Sequence, residues 1–228
     1  MISFRLRGTA ILVAIAGVLL LMAAKPSVSK KVPPGVEELA IGSKAPDFKL
    51  IGTDDKLHAL EDLKGDKGTL VIFTCNHCPF AIKYQDRIIA LTDKYTKQGI
   101  GVVAISCNDA NGYSDDSFPN MKIRAKEKGY NFPYLYDESQ AVALKYGPMV
   151  TPHTFLFDST LTLVYRGRID DSAKEDEVKK RELTDALDAL VAGKEIPVKE
   201  TTAFGCSIKW KPAVLKSGEP VASSENGS

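Results

Sequence analysis

The run TLVIFT, at residues 69–74, is the feature that most constrains the fold of this chain. Its residues are apolar or β-branched without polar alternation, which is typical of a strand covered on both faces. After it, Ala81, Tyr84 and Ile88 begin a series of apolar residues at intervals of three and four. This spacing predicts a helix with one buried stripe, ending near Gly99.

The same alternation of strand and helix continues along the chain. Further strands are predicted for GVVAISC, for YLY, and for HTFLFD and LTLVYRGR, which flank a turn at 159–160. Helices are predicted for SFPNMKIRAKEKG, SQAVALKYG and VKKRELTDALDALVAG, and a short hairpin for APDFKLIGTDDKLHAL. The order predicts an α/β fold, with a central mixed β-sheet, helices on both faces and an antiparallel pair at one edge.

The N-terminal 24 residues are predicted to be an export signal or an N-terminal membrane anchor. They carry Arg5 and Arg7, no acidic residue, and an apolar block over residues 9–24 that ends in small side chains. This block is shorter than the roughly 20 residues of a usual spanning helix. Both outcomes, cleavage and retention as a tether, stay open, and both place the protein outside the cytosol, in a periplasmic or other extracytoplasmic space.

The rest of the chain divides by composition. Residues 25–40 are rich in Pro, Lys and Ser and are predicted to be a linker. Residues 41–195 hold all the predicted strands and helices, and residues 196–228 form an irregular C-terminal extension. The 30 basic and 29 acidic residues nearly balance, so the charge gives no argument for a nucleic-acid partner.

Two of the four cysteines, Cys75 and Cys78, stand close together between the buried strand and Pro79, which begins the helix. Cys75 is therefore expected beside free backbone N–H groups and the positive end of a helix dipole. This environment stabilises a thiolate, the form that attacks a disulfide. Cys78 is placed to resolve the mixed disulfide, and His77 can add positive charge that makes the pair more oxidising.

Two other interpretations of the pair are weaker. A static bridge across two residues would remove little entropy from the unfolded chain. A structural zinc site needs four ligands. The remaining candidates, Cys107, Cys206, His58 and His153, show no second pair at metal-binding spacing.

Taken together, strand–CNHC–Pro79–helix, GPMVTPHTFLFD and YRGRIDDS resemble the thioredoxin-like superfamily. More narrowly, the chain is similar to redoxins of the alkyl hydroperoxide reductase/thiol-specific antioxidant family. The resemblance runs from about Ile41 to Val191. It implies a three-layer thioredoxin-like fold. It also implies that Thr151 and Pro152 form a loop with a cis proline, which faces the cysteines and holds a partner's backbone in an extended conformation.

The chain departs from the family pattern at two sites. Thioredoxins place a buried acid six residues before the first cysteine, where this chain has Thr69. Proton transfer at Cys78 must then use another group or water. Peroxiredoxins place Thr three residues and Pro seven residues before the peroxidatic cysteine, where this chain has Ile72 and Gly68 relative to Cys75. This difference speaks against a dedicated peroxidase.

The other cysteines and His153 have two readings each. Cys107 ends a buried strand and is predicted to be a core side chain. Cys206 lies near Phe204, Ile208 and Trp210, an apolar group that predicts docking of the extension on the domain. Its thiol is then either inert or able to exchange with the Cys75–Cys78 pair. His153 is either a polar residue at the start of a strand or an accessory residue of the site.

The sequence thus predicts a thiol–disulfide oxidoreductase that acts on protein thiols and disulfides through Cys75 and Cys78. It needs no bound organic cofactor and no metal, and a redox partner at the membrane is compatible with a tether. The direction of electron flow stays open. The alternatives are copper delivery through Cys75, Cys78 and His153, since thiolate and imidazole suit Cu(I), and a thiol-dependent antioxidant peroxidase.

Overall fold

The predicted strand at 69–74 is confirmed as a central strand of a mixed sheet, and it begins and ends one residue earlier. The computed structural model describes residues 32–222, so the expected export segment lies outside the described residues. The strands of this part are β1 (Lys49–Gly52), β2 (Leu57–Ala59), β3 (Gly68–Phe73), β4 (Ile100–Ser106), β5 (Tyr134–Tyr136), β6 (Val150–Thr151), β7 (His153–Asp158), β8 (Leu163–Gly167) and β9 (Cys206–Ser207).

Seven of these strands form the main sheet, in the order β2-β1-β5-β4-β3-β7-β8. Strands β3, β4 and β5 run parallel, whereas β7 runs antiparallel to both β3 and β8. The hairpin of β1 and β2 pairs with the far side of β5. The mixed sheet and the antiparallel edge pair predicted from the sequence are therefore confirmed.

The helices cover both faces of the sheet. They are α1 (Leu60–Leu63), α2 (Pro79–Thr96), α3 (Phe118–Lys128), α4 (Ala141–Tyr146), α5 (Glu182–Val191) and α6 (Pro212–Ser217). Side chains of α2, α3 and α5 pack with Leu70 and Ile72 on one face. Side chains of α1, α4 and α6 pack with Val71 and Phe73 on the other. Every residue of β3 is buried, as expected for a strand between two helical layers.

The C-terminal extension is folded against the domain. Strand β9 pairs with β6 as a separate two-stranded antiparallel sheet. Trp210 and Val214, in and just before α6, are buried in the same core cluster as Val71 and Phe73. The docking predicted for the apolar segment around Cys206, residues 204–210, is thereby confirmed. Within residues 32–222, no helix is both long enough and apolar enough to cross a membrane.

Candidate functional site

The two close cysteines lie where the central strand passes into α2. Cys75 follows the end of β3 by two residues, and Cys78 is the N-cap of α2. Pro79 occupies the first helical turn, where its missing N–H costs no hydrogen bond. Both side chains are buried, with exposed fractions of 2% for Cys75 and 0% for Cys78. As the sequence predicts, the pair meets at the N-terminus of a long helix.

The two thiols lie side by side, and their proton equilibria depend on each other. The interaction with Cys78, burial and the charge of Asp116 raise the pKa of Cys75. The interaction with Cys75 lowers the pKa of Cys78, against the effect of burial. The neighbouring Cys206 thiol and the backbone at Ala81 and Cys206 lower it further.

This charge distribution differs from the one that the sequence favours. The backbone at Ala81 contributes to the lowered pKa of Cys78, and the buried Asp116 carboxylate lies beside Cys75. The charge of Asp116 disfavours a thiolate on Cys75, which shifts the negative charge of the pair towards Cys78.

The loop before β7 faces both sulfurs. The Thr151–Pro152 peptide bond is cis, as the family resemblance implies. Thr151 Oγ1 lies 3.2 Å from Cys75 Sγ. The Thr151 carbonyl oxygen lies 3.4 Å from Cys78 Sγ and accepts a hydrogen bond from the Cys78 thiol when that thiol is protonated. Thr151 thus contacts both members of the pair.

Asp116, in the 3₁₀ turn Ser114–Asp116, is the site residue that the sequence analysis missed. It is fully buried, and one carboxylate oxygen accepts the backbone N–H groups of Asn76 and His77 at 2.7 and 3.0 Å. The other oxygen contacts His77 Nδ1 at 2.5 Å and accepts the side-chain amide of Asn108 at 2.8 Å. The His77 ring is thus directed at Asp116 rather than at a sulfur, and it stacks on Tyr113.

This carboxylate holds the cysteine loop in place. Ligand atoms of Cys75, His77 and Asp116 lie within 4.8 Å of one another, a spacing that metal sites also show. Here, however, the four hydrogen bonds of Asp116 engage all the lone-pair directions of its two oxygens. The group is therefore better described as a hydrogen-bonded network than as a set of ligands awaiting an ion.

The other candidate residues lie at differing distances from the pair. His153 is buried in β7, where its Nδ1 accepts the N–H of Met149 at 3.3 Å and its ring packs on Phe155. Among residues 32–222 it is not in the group whose ligand atoms converge with Cys75. The Thr69 hydroxyl contacts the N–H of Gly65, so it does not serve the pair. Cys107 is buried in the core, as predicted.

Cys206 reaches the pair from the C-terminal extension. Its strand pairs with β6 so that Cys206 lies opposite Thr151. The side chain packs against Cys75, Cys78 and Ala81. Of the two readings that the sequence left for Cys206, an inert buried thiol and an exchanging one, the second requires contact with the pair, and Cys206 makes this contact. Three cysteines therefore share one cluster.

Comparisons with known proteins place the chain in a family. The AhpC/TSA family profile matches residues 41–166, more than half of the chain. The chain belongs to the AhpC/TSA family.

Relatives and solved structures agree with this assignment. The AhpC/TSA chain is 30% identical over 125 residues to the thiol-disulfide oxidoreductase ResA of Geobacillus thermodenitrificans, a match covering 53% of this chain and 64% of that protein. It therefore spans less than two thirds of that relative. A structure of an uncharacterised conserved protein from Geobacillus kaustophilus is 43% identical, with a TM-score of 0.74, covering 78% of this chain and 95% of that one.

The thioredoxin-like fold is shown by a more distant structure. A putative thiol:disulfide interchange protein DsbE from Chlorobium tepidum has a TM-score of 0.51 at 21% identity, covering 68% of this chain and 98% of that one. The AhpC/TSA match includes the cysteine pair and the proline loop but ends before Cys206. The C-terminal strand thus lies beyond the family match.

Proposed function

We propose that this chain is a thiol–disulfide oxidoreductase whose Cys75 and Cys78 alternate between dithiol and disulfide while exchanging with protein partners. The observation that carries the proposal is the adjacent pair of buried thiols at the start of α2, both in contact with Thr151 of the proline loop. The similarity to a relative named a thiol-disulfide oxidoreductase supports it.

The exchange begins with proton transfer inside the pair. Cys78 accepts the proton that Cys75 donates to it, so Cys75 becomes the thiolate as it attacks a partner disulfide. This step forms a Cys75–partner bond and releases the partner's other sulfur as a thiolate. Cys78 then attacks Cys75 Sγ, which forms the Cys75–Cys78 disulfide, and its proton goes to the second departing partner thiolate. The partner gains two electrons, and the pair loses two.

The neighbouring residues position this exchange. Thr151 and Pro152 receive the partner's backbone, and the Thr151 hydroxyl orients Cys75. Pro79 starts the helix at whose N-terminus Cys78 lies, and the positive end of the helix dipole favours negative charge there. His77 tunes the redox potential through Asp116, whose negative charge disfavours a thiolate on Cys75. Cys206 and His153 are accessory residues.

The proposed location follows from the N-terminal sequence. Residues 9–24 export the chain, either as part of a cleaved signal or as a tether. Outside the cytosol, the partners are proteins with exchangeable thiols or disulfides, and a membrane redox protein can recycle the pair. The chemistry uses only the sulfurs of the chain and needs no bound cofactor or metal.

Trapping with Cys78→Ser tests the mechanism. Without the resolving thiol, Cys75 should remain joined to partner proteins, and these adducts should be released by a reductant. The matched control is Cys107→Ser, which leaves the pair intact and should trap nothing. The mechanism is wrong if Cys78→Ser traps no partner while Cys75 is still alkylated by iodoacetamide.

Equilibration with reduced and oxidised glutathione decides the direction of electron flow. A potential near thioredoxin's value of about −270 mV would make the protein a reductant. A value near about −120 mV would make it an oxidant. Peroxide turnover comparable to disulfide turnover would instead favour the antioxidant peroxidase.

A further inference from the structure

The C-terminal strand lies where a partner peptide would bind. β9 adds to β6 in antiparallel register, with Ser207 opposite Val150 and Cys206 opposite Thr151. Addition of an extended segment to the exposed edge of a sheet is a common mode of peptide recognition. The protein therefore presents one of its own cysteines to the pair from the position of a partner's cysteine.

The sequence around Cys206 is shaped for this position. Gly205 approaches the loop so closely that a Cβ atom there would lie 2.1 Å from the Thr151 carbonyl oxygen. Only glycine fits without displacing one of the two strands. On the same side, the Phe204 ring packs on Phe80 and Tyr84 of α2, at centroid distances of 6.1 and 6.4 Å. The strand is thus held by backbone pairing and by aromatic contacts.

Hydrogen bonds anchor the segment after Cys206. The Lys209 N–H donates to Asn108 Oδ1 at 2.8 Å, and the Lys209 carbonyl accepts the N–H of Asp109 at 2.7 Å. The Lys211 N–H donates to Gln140 Oε1 at 2.8 Å. Trp210 is buried between these bonds. The docking of Cys206 is therefore part of the folded structure and not a loose terminal contact.

The sulfur of Cys206 reaches Cys78 in particular. Its side chain packs on the pair, and the interaction with Cys78 is among the causes that raise the pKa of Cys206. Cys75, in contrast, is engaged by the Thr151 hydroxyl. Cys206 is also the most exposed of the three, since Cys75 and Cys78 are almost completely buried. A partner that does not displace β9 therefore meets Cys206 as the most accessible sulfur of the cluster.

We propose that Cys206 is a third exchange cysteine, which attacks the Cys75–Cys78 disulfide at Cys78 from the place of a partner. This inference rests on the proposed function. The Cys206 thiolate forms a bond to Cys78 Sγ, the Cys75–Cys78 bond breaks, and Cys75 leaves as a thiolate that takes up the proton lost by Cys206. No net oxidation occurs. A partner dithiol can then reduce the Cys78–Cys206 disulfide, and its two thiols become a disulfide.

The state of the pair controls the attacking thiol. Burial and the interaction with Cys78 raise the pKa of Cys206 to about 11, so Cys206 is protonated beside the reduced pair at neutral pH. Oxidation of the pair removes the negative charge on Cys78 and with it one cause of this raised pKa. The Cys206 thiolate therefore forms more readily when there is a disulfide to attack.

The test uses the full chain and oxidised glutathione as the probe. Cys75→Ser leaves Cys78 and Cys206 as the neighbouring pair. After oxidation, peptide mass spectrometry without reduction should find a Cys78–Cys206 disulfide as the main product. In Cys75→Ser/Cys206→Ser, Cys78 should instead carry glutathione. If Cys75→Ser gives glutathione adducts and no Cys78–Cys206 bond, the inference is overturned.

The wild-type protein separates this inference from the proposed function. At graded ratios of reduced to oxidised glutathione, both the Cys75–Cys78 and the Cys78–Cys206 disulfides should be detected. A Cys75–Cys78 disulfide without any Cys78–Cys206 species overturns the role of Cys206 and leaves the proposed function standing. If no disulfide involves Cys75 at any ratio, the proposed function fails.

Two glycine substitutions test whether docking of β9 is required for the exchange between Cys206 and Cys78. Gly205→Ala should push β9 away from Thr151, lowering the yield of Cys78–Cys206 disulfide in the Cys75→Ser background by roughly tenfold or more. Gly112→Ala is the matched control, because a Cβ atom there meets no other atom within 4 Å. Equal disulfide yields in the two variants would contradict the docked geometry as the cause of the exchange.

Discussion

At the scale of single residues, Asp116 links the cysteine loop to the rest of the site. It receives hydrogen bonds from two consecutive backbone N–H groups of the loop, from the His77 ring and from Asn108. Its full negative charge also lies close to Cys75 and opposes ionisation of that thiol. One side chain therefore affects both the shape of the loop and the acidity of the pair.

Asp116→Asn should separate these two effects. Loss of the charge should lower the pKa of Cys75, so the pH profile of iodoacetamide alkylation should move to lower pH. Loss of an acceptor among buried donors should cost about 1–3 kcal/mol of unfolding free energy. Asp115→Asn is the control, because that side chain is exposed. An alkylation profile that does not move would show that the charge of Asp116 does not govern the pair.

Asp137 is another buried carboxylate, and its raised pKa makes the stability of the fold depend on pH. It follows β5 and its Oδ2 accepts the N–H of Ala143 in α4 at 2.8 Å. Burial nevertheless raises the pKa of Asp137 to about 6, from an unperturbed value of 3.8. The folded state therefore binds the proton more tightly than the unfolded chain does.

The sign of the resulting pH dependence is fixed by this raised pKa. The contribution of Asp137 to stability is fully present below about pH 3.8 and is lost as the pH rises through about 6. The loss amounts to roughly 3 kcal/mol. Denaturation of Asp137→Asn between pH 4 and pH 7 should lack this decline relative to the wild type. Parallel pH profiles for the two proteins would contradict the assignment.

At the scale of elements, α2 is joined to the chain after β8 by a buried ion pair. The Arg87 guanidinium donates to Asp170 Oδ2 at 2.5 Å and lies over the Tyr84 ring at 3.9 Å. The Tyr84 hydroxyl donates to the other oxygen of Asp170 at 2.6 Å. These bonds fix the helix that begins at the cysteine pair.

Asp170→Ala should be strongly destabilising. It leaves the Arg87 charge buried without its carboxylate, which costs about 3–5 kcal/mol. Asp86→Ala is the control on the same helix, since its pair with Lys128 is at the surface and is worth at most about 1 kcal/mol. Urea denaturation compares the two variants, and equal losses would refute the importance of the buried pair.

The elements differ in how far the sequence reveals them. β3 and α2 are long enough for their apolar periods to be read directly. The two-residue strands β6 and β9 have no period, so their pairing could not be predicted, although the apolar residues around Cys206 did indicate docking. Asp116 lies 41 residues after Cys75 in a polar stretch with Asp109 and Asp115, and nothing in the sequence distinguishes it from these acids as the buried one. Long-range packing decides its role.

At the scale of the whole molecule, the four cysteines belong to regions of different local stability. Cys107 is completely buried in the core, and burial raises its pKa well above the usual value. Cys75 and Cys78 are covered mainly by the loop of Thr151 and by the C-terminal strand. Release of that strand is a local opening, which costs less than global unfolding.

Thiol labelling in native buffer should therefore give two classes of rate. Cys75 and Cys78 should react with N-ethylmaleimide faster than Cys107 by orders of magnitude, because Cys107 requires opening of the core. Low concentrations of urea should accelerate labelling of Cys107 steeply and that of the pair only weakly. Equal rates and equal urea dependence would mean that the site opens only when the whole domain unfolds.

The docking of β9 on β6 also limits which partners can bind at the site. β9 and a partner peptide compete for the same edge of β6. Because β9 belongs to the same chain, its effective concentration there can reach the millimolar range for short flexible connections. An external protein competes only at its own concentration. The apparent affinity of an external peptide is its intrinsic affinity multiplied by the fraction of molecules in which β9 has left β6. Chance encounters with flexible peptides are then rejected, and lasting engagement is confined to proteins that bring contacts beyond the edge of β6 itself.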